Sequence, residues 1–200
     1  MPQVVSIGLL GRKFSGKDSV ANLIRDELGV HTKFVSLAFA SKLKEICIDL
    51  YSFPDDSFFN DQEKKEKIYP YSTKSPRELM QHVGCDVMKK HFGDNIWIER
   101  IAREVEAVVE KYQNYDQIVL CFTDVRFENE VLFLQNSLNA HIVYVDADER
   151  LGAVIDGHIS ESGILDVKKS CDPLYVLNNN RSYDLLIPEV CNLLQTLSIQ

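Results

Sequence analysis

The sequence predicts an α/β fold with a parallel sheet. Short apolar runs rich in β-branched residues, such as VVSIGLL (Val4–Leu10) and QIVLCF (Gln117–Phe122), have the length and composition of buried strands. Amphipathic helical patterns alternate with these runs along the chain. With 200 residues, 45% of them hydrophobic, the chain can bury the core of one domain without disulfides or a structural metal.

The first 50 residues contain two predicted strand–helix units. The first strand is followed by a glycine-rich turn and a helix, which is marked by the helical spacing of apolar residues from Val20 to Leu28. A second strand at Lys33–Phe39 precedes a helix that begins at Ser41. The order strand, glycine-rich loop, helix is the context that a phosphate-binding loop requires.

A polar stretch separates this first part from the next helix. Residues 51–75 contain two prolines and keep no regular period, so they predict a flexible, irregular excursion. The stretch ends at a strong helix start. Ser75 can cap this helix, Pro76 suits its first position, and Glu78 can reach back to complete a capping box.

The second half of the chain repeats the alternation. Gly93 interrupts the helix that begins near Ser75, and Pro188 is expected to kink or start the last helix. The predicted elements are, in order, a helix with an apolar stripe from Ile98 to Val109, a strand at Gln117–Phe122, a helix at Glu128–Leu138, a strand at His141–Ala147, a polar segment at 148–172, a strand at Leu174–Leu177 and a C-terminal helix.

Composition excludes several classes of function. The formal net charge of −8 argues against general nucleic-acid binding, because such affinity comes mainly from Lys and Arg on phosphates. No stretch reaches the apolar length of a membrane span, so no membrane partner is expected. The five cysteines are scattered without a C-x-x-C pair or zinc-ligand spacing, which predicts reduced thiols and a cytoplasmic location.

The stretch GRKFSGKDS matches the phosphate-binding pattern G-x-x-x-x-G-K. Gly11 and Gly16 permit a tight loop whose N–H groups face inward, next to the positive end of a helix. Lys17 can reach the β- and γ-phosphates of ATP. Ser15 and Ser19 are the hydroxyl candidates for phosphate binding in this loop. The alternative is an ordinary glycine-containing turn between a strand and a helix.

Asp18 stands where this pattern usually has Ser or Thr. A carboxylate in a first helical turn is favoured by the helix dipole, so Asp18 could simply cap the helix. Beside a triphosphate the same carboxylate would be repelled unless a cation lay between. Mg²⁺ often takes one or two carboxylates together with waters and phosphates. We therefore hypothesise that Asp18 holds Mg²⁺ through water.

GRKFSGKDS resembles the loop G-x-K-x-S-G-K-D-[ST] of bacteriophage deoxynucleoside monophosphate kinases and the related animal phosphomevalonate kinases. The resemblance spans nearly the whole chain, from residue 5 to about residue 187. Cys85 and Ser19 depart from it, because both replace a common threonine. Five further segments are similar in the same order, namely FASKLKE, LMQHVGCDVMKKHFGDNIWIERI, TDVRFENEV, DGHISESGILD and LNNNRSYDLL.

The resemblance implies a P-loop kinase three-layer sandwich with a parallel sheet, acceptor-binding helices and a lid. It implies one domain over residues 1–200, with an acceptor-binding region at 51–92 and a lid segment at 148–172. The implied reaction is phosphorylation of a deoxynucleoside monophosphate by ATP with Mg²⁺. The rivals are a phosphomevalonate kinase and a non-catalytic nucleotide-binding regulator. The sequence leaves base preference and homodimer formation open.

Several acceptor-side residues are suggested together by their spacing and the resemblance. Lys13 can point away from ATP toward an acceptor phosphate, or it can be a solvated loop lysine. The resemblance alone implies that Lys42 is a phosphate ligand, and a solvated helix lysine is the alternative. Arg77 and Gln81 lie on one helix face, where they could bind a phosphate and a base or remain an exposed polar face. Asp86 is a weaker candidate for contact with a sugar or base.

Other candidates follow the predicted strands or form the lid. Asp124 could hold Mg²⁺ and Arg126 a phosphate at a strand end, or the two could pair to stabilise the turn. Arg150 could stabilise the transferring phosphoryl group. Trp97 could stack on a base or belong to the core.

Three more residues are assigned mainly through the resemblance. His158 lies in the lid segment and is expected to form a hydrogen bond there rather than to act as a base. Asn178 and Asn179 could flank the adenine of ATP. An asparagine-rich turn is the plainer alternative for both.

Overall fold

The computed structural model describes residues 2–69, 72–152, 163–172 and 174–199. Within these residues, five strands form one parallel sheet in the order β2-β3-β1-β4-β5. The α/β fold class predicted from the sequence is confirmed. The strands are β1 (Gln3–Leu10), β2 (Thr32–Leu37), β3 (Gln117–Val125), β4 (His141–Asp146) and β5 (Leu174–Asn178).

Helices connect the strands. Among the described residues, none of them is both long and apolar enough to cross a bilayer. The helices are α1 (Lys17–Glu27), α2 (Ser41–Tyr51), α3 (Ser57–Asn60), α4 (Gln62–Glu66), α5 (Pro76–Gln81), α6 (Lys90–Phe92), α7 (Ile96–Lys111), α8 (Glu128–Leu138), α9 (Asp148–Leu151), α10 (Ile164–Ser170) and α11 (Tyr183–Thr196).

The chain divides into two compact units. The first comprises Met1–Ala38 and Arg103–Gln200, and it contains the whole sheet. The second comprises Phe39–Ala102 and is helical. The assignment of residues 1–200 to one kinase domain stays a prediction.

In the first unit, helices cover both faces of the sheet. Alternate residues of β1, such as Ile7 and Leu9, share a buried cluster with residues of α1 and α11. The opposite face carries Gly8, where an added Cβ would lie only 2.8 Å from the Leu134 side chain of α8. The missing side chain therefore lets α8 pack closely against the central strand, which gives three layers.

The second unit has its own buried core, and part of it comes from residues 51–75. Phe53, Phe59 and Tyr69 are buried, and the Phe53 ring centroid lies 4.9 Å from that of Phe59 and 4.1 Å from that of Tyr69. The short helices α3 and α4 also fall in this stretch. The expectation of a flexible, irregular excursion is therefore wrong for its described part, because helices of four and five residues are too short to show a period.

The helix start near Ser75 is confirmed. The Ser75 hydroxyl accepts from the Glu78 N–H at 3.3 Å, and the Ser75 N–H donates to the Glu78 carboxylate at 2.7 Å. The helix continues from α5 as a π-helix at His82–Lys89, which the sequence did not indicate. Gly93 ends the run of helix with φ of 98°. In contrast, Pro188 lies inside α11 and does not start it.

Candidate functional site

The glycine-bounded loop joins β1 to the first residue of α1. Because the loop follows the carboxyl end of β1, the middle strand of the sheet, it lies at the edge where parallel α/β folds bind ligands. Gly16 has φ of 93°, and a Cβ there would collide with the amide nitrogen of Asn179. A Cβ at Gly11 would lie 2.6 Å from the Ser15 hydroxyl oxygen. Both positions therefore require glycine.

The ammonium group of Lys17 is folded back onto this loop. It donates to the carbonyl oxygens of Gly11 at 2.8 Å and Arg12 at 3.0 Å. The positive charge of Lys17 is thus held against the backbone of the loop. Lys13 is half-buried in the loop, with its ammonium 4.9 Å from the ring centroid of Phe14.

Two side chains from the neighbouring strand ends hold other carbonyl groups of the loop. Arg150, in α9 after β4, donates from Nη2 to the Phe14 oxygen at 2.9 Å. Asn179, after β5, donates from Nδ2 to the Ser15 oxygen at 2.8 Å. The first contact joins residues that are 136 positions apart in the sequence, and the second joins residues that are 164 positions apart. The loop is therefore fixed by the far end of the same unit.

The hydroxyl of Ser15 is unusual in the loop. It is 1% exposed, and among the described residues it has no hydrogen-bond partner. Leaving a buried hydroxyl unpaired costs about 1–3 kcal/mol, so such a group commonly has a ligand or an ordered water as its partner. Ser19, which is half-buried in the first turn of α1, is the second hydroxyl near the loop.

Two carboxylates are the predicted ligands of a metal ion. Asp18 is exposed in the first turn of α1, and Asp124 is half-buried near the end of β3. Burial and then the charge of Asp18 raise the pKa of Cys121, also on β3, to about 12. The Asp18 charge thus acts on a residue of the strand that carries Asp124.

No cluster of three or more His, Cys, Asp or Glu residues that could hold a metal occurs in the described part of the chain. A magnesium ion bound largely by phosphates and water takes only one or two carboxylates, and Asp18 and Asp124 are the two predicted for it. They do not fit a site made by protein ligands alone.

The segment after β3 is held in a defined turn. Leu10 pairs with Val125 across the sheet, so the end of β3 lies beside the start of the loop. The buried Glu130 carboxylate accepts from the N–H groups of Arg126 at 2.8 Å and Phe127 at 3.1 Å. The backbone of Arg126, a predicted phosphate ligand, is thereby fixed at the carboxyl edge of the sheet.

A cluster around Asp148 was not anticipated from the sequence. Its carboxylate lies 3.5 Å from Arg12 and 3.8 Å from Lys168. The hydroxyl of Tyr144, which is fully buried, donates to both Asp148 oxygens at 3.1 Å. Burial, together with the nearby Asp148 charge, raises the pKa of Tyr144. Arg12 also donates to the Gly152 oxygen at 2.8 Å, so this cluster ties the loop to β4 and α9.

In the second unit, two predicted phosphate ligands are ion-paired within the chain. Lys42 lies 2.6 Å from Glu45 on the exposed side of α2, and Arg77 lies 2.6 Å from Glu66. Any phosphate bound by these side chains would compete with the carboxylates.

Of two further candidates, one directly precedes the π-helix and the other lies within it. Gln81 ends α5 and is half-buried, while Asp86 is exposed and its carboxylate lies 3.0 Å from Nδ1 of His82. π-Helical turns frequently occur at functional sites.

Trp97 belongs to the core of the second unit. It is 7% exposed, packs in the cluster with Leu43 and Val83, and donates from its indole nitrogen to the Gly84 oxygen at 3.3 Å. This is the core alternative that the sequence left open, because a buried indole offers no free face for a base.

The two asparagines after β5 differ from each other. Asn178 is exposed, and its side chain accepts from the Asn180 N–H at 3.0 Å. Asn179 is 8% exposed and bonds the loop, as described above. Their predicted contact with adenine stays a prediction. His158 lies outside the described residues.

The fold and the loop define the class of protein. A lysine-bearing loop bounded by two required glycines, placed at the carboxyl edge of a parallel sheet and leading into a helix, is the arrangement of P-loop nucleotide-binding proteins.

Comparison with known proteins gives the family. The sequence model of the family "Deoxynucleotide monophosphate kinase" matches residues 55–187. A protein of Acanthamoeba polyphaga mimivirus, provisionally named a deoxynucleotide monophosphate kinase, is 30% identical over 190 residues, which cover 90% of this chain and 91% of the relative. The chain belongs to the deoxynucleotide monophosphate kinase family and is a nucleotide kinase. Membership of a kinase family implies ATP as the phosphate donor.

Solved structures with a similar fold have low sequence identity. Shikimate kinase from Bacteroides thetaiotaomicron is 13% identical, with a TM-score of 0.43, and the match covers 98% of this chain and 99% of the other. The tunicamycin resistance protein of Deinococcus radiodurans is 10% identical, with a TM-score of 0.49, and the match covers 100% and 98%.

Proposed function

We propose that this kinase transfers the γ-phosphoryl group of Mg·ATP to the phosphate of a deoxynucleoside monophosphate. The products are the deoxynucleoside diphosphate and ADP. The observation that carries the proposal is the loop itself, in which Gly11 and Gly16 leave no room for a Cβ, Lys17 donates to the Gly11 and Arg12 oxygens, and the buried Ser15 hydroxyl has no partner among the described residues. This geometry supports binding of a chain of phosphates.

The chemistry needs little from a general base. The second ionisation of a phosphate monoester has a pKa of about 6, so the acceptor oxygen is already anionic near neutral pH. That oxygen forms the new bond to the γ-phosphorus while the bond between this phosphorus and the oxygen bridging to the β-phosphate breaks. The leaving group is ADP. Catalysis therefore consists of positioning and of neutralising charge.

Four cations are proposed to neutralise that charge. Lys17 and Lys13 lie in the loop, and the backbone of Arg126 is fixed at the next strand end. Arg150 uses Nε and Nη2 to hold the Asn179 and Phe14 oxygens, at 3.3 and 2.9 Å. Its Nη1 makes neither of these bonds and is the nitrogen proposed to bind phosphate.

The acceptor is proposed to use residues of the second unit. Lys42 and Arg77 are its phosphate ligands, and Gln81 and Asp86 contact the base or sugar. Both cations now pair with carboxylates at 2.6 Å. A bound phosphate would replace Glu45 and Glu66 as the partner of Lys42 and Arg77. His158 is proposed to hydrogen-bond the substrate, and the burial of Trp97 excludes base stacking from the proposal.

Magnesium is proposed as the cofactor, with Asp18 and Asp124 as its protein ligands through water. Mg²⁺ held there would neutralise part of the charge of the phosphates. Two carboxylates, one exposed and one half-buried, match the small share of protein ligands that Mg²⁺ takes beside phosphates.

The test is a turnover panel. The protein is mixed with Mg·ATP and, separately, with each deoxynucleoside monophosphate, each ribonucleoside monophosphate and mevalonate 5-phosphate, and ADP release is followed. We expect turnover with at least one deoxynucleoside monophosphate. Lys17→Met should abolish turnover, while Lys111→Met, at an exposed helical lysine, should leave it unchanged. No turnover with any deoxynucleoside monophosphate would reject the proposal, and turnover with mevalonate 5-phosphate instead would favour the rival.

The metal assignment has its own test. In Asp18→Ala, the Mg²⁺ concentration needed for half-maximal ATP binding should rise, because one of two carboxylates is removed. Asp49→Ala, at an exposed helical aspartate, is the control. An unchanged Mg²⁺ requirement in Asp18→Ala would rule out the metal role.

Two expectations remain predictions beside this proposal. All five cysteines are free thiols, which supports a reducing cytoplasmic location or, for a viral protein, the host cytoplasm. The second expectation is that the protein can form a homodimer, and sedimentation of the purified protein would test it.

A further inference from the structure

Asn179 is tightly held at the end of β5. It is 8% exposed, its backbone N–H donates to the Asp146 oxygen, and its own carbonyl oxygen accepts from Arg150 Nε at 3.3 Å. With both backbone groups bonded, the residue has little freedom to move. A side chain held in this way can impose its own geometry on a neighbour.

The neighbour is the peptide between Ser15 and Gly16. The Asn179 amide donates to the Ser15 oxygen at 2.8 Å, and Gly16 approaches the same amide so closely that a Cβ could not fit between them. In a trans peptide the C=O and N–H bonds point in opposite directions. Holding the Ser15 oxygen therefore aims the Gly16 N–H away from Asn179.

The direction of the Gly16 N–H matters for the donor. Gly16 is the residue before the first turn of α1, and N–H groups at this end of a helix bind phosphate. If the peptide turned over, the Ser15 oxygen would present negative charge to the phosphates instead. The second asparagine, Asn178, is exposed and makes no bond to the loop in the described part.

We propose that Asn179 is a positioning residue for the donor phosphates and acts through the Ser15–Gly16 peptide, not by contact with adenine. The role rests on the proposed function, since it requires that the loop binds the triphosphate. It also gives Gly16 a second reason to be glycine, beyond its positive φ.

The experiment compares two ligands, Mg·ATP and inorganic tripolyphosphate with Mg²⁺. Tripolyphosphate has the phosphates without the base. In Asn179→Ala we expect both dissociation constants to rise by the same factor, about tenfold, which corresponds to one lost hydrogen bond. The KM for ATP should rise, and the KM for the monophosphate should not change.

Two more variants separate positioning from unfolding. Asn179→Asp keeps the shape of the side chain but sets a carboxylate oxygen against the Ser15 oxygen, so the loss should be at least as large. Asn136→Ala removes an exposed asparagine of α8 and should bind both ligands like the wild type. Melting temperatures identify any loss of folded protein, which would lower the number of binding sites and not the affinity of each site.

The outcomes distinguish the two proposals. Weakened ATP binding with unchanged tripolyphosphate binding would overturn the positioning role and assign Asn179 to adenine. Unchanged affinity for both ligands in folded Asn179→Ala would also overturn it, while the proposed function stood. A wild-type protein that bound neither ligand would refute the proposed function itself and the positioning role with it.

Discussion

One carboxylate oxygen of Glu130 accepts hydrogen bonds from the backbone N–H groups of both Arg126 and Phe127, at 2.8 and 3.1 Å. Glu130 is 4% exposed, so these bonds are shielded from water. The glutamate of the stretch DVRFENE thus fixes the turn that presents Arg126, and it does so without any need to touch a ligand. Its position four residues after Arg126 is what lets one side chain reach both N–H groups.

Glu130→Ala should lower both stability and activity. Removing the acceptor takes one shielded hydrogen bond from each of two N–H groups, which costs about 2–3 kcal/mol of the free energy of unfolding. Arg126 also loses its fixed position, so we expect kcat/KM to fall about 10- to 100-fold. Glu130→Gln keeps an acceptor oxygen and should recover most of both losses. Urea unfolding and steady-state kinetics measure the two effects. Folded Glu130→Ala with wild-type kcat/KM would show that the turn does not position Arg126.

The protein should be more stable with glycine than with alanine at position 14. Its φ is 65°, and its side chain is 54% exposed. A residue with a Cβ costs about 1–2 kcal/mol in the left-handed region, whereas glycine does not. We therefore expect Phe14→Gly to exceed Phe14→Ala in free energy of unfolding by about 1 kcal/mol.

Phe92 provides the matched control for Phe14. It is an exposed phenylalanine that ends helix α6 without a positive φ, so glycine relieves no strain there and the alanine variant should be the more stable. Urea denaturation of the four variants gives the comparison. The same order at both positions would contradict the strain at Phe14.

Local signals in the sequence predicted the elements that depend on neighbouring residues. The run VVSIGLL gave the central strand, the glycines gave the loop, and the Ser75–Glu78 capping box formed as expected. Each of these signals acts over fewer than about ten residues, so it is readable without the fold. The family resemblance rested on motifs in a fixed order along the chain, and the family model and the viral relative confirmed it.

The contacts that shape the loop could not be predicted, because they join distant positions. Asn179 and Ser15 are 164 residues apart, and Arg150 and Phe14 are 136 apart. Nothing in a local pattern states which asparagine of NNN turns inward. The same limit applied to Trp97, whose burial depends on packing with the distant Leu43.

Asp148 should matter for stability mainly through Tyr144. In Asp148→Ala the fully buried Tyr144 hydroxyl loses its acceptor, which costs about 1–3 kcal/mol, and Arg12 and Lys168 lose a partner. In the double variant Tyr144→Phe, Asp148→Ala, no hydroxyl is left unpaired. The double variant should therefore be more stable than Asp148→Ala alone, which urea unfolding of the full mutant cycle would reveal. Simple addition of the two single losses would mean that the pair is not coupled.

The buried thiols of Cys47 and Cys121 should make the protein less stable in alkali. Burial raises the pKa of Cys47 to about 11, and burial with the Asp18 charge raises that of Cys121 to about 12, from ordinary values near 9. Below pH 9 both thiols are protonated in the folded and unfolded chains, so their contribution to stability is fully present.

Above pH 9 the unfolded chain ionises first, and stability is lost as the pH rises through the folded values, by about 1.4 kcal/mol per pH unit for each thiol. Urea unfolding between neutral pH and pH 10 should show this slope. In Cys121→Ala the slope should be smaller by the contribution of one thiol, about 1.4 kcal/mol per pH unit. A thiol reagent at neutral pH should leave Cys47 and Cys121 unmodified in the native protein and modify them after unfolding. Equal reaction rates in the native and unfolded protein would refute the protection that the structure gives these two thiols.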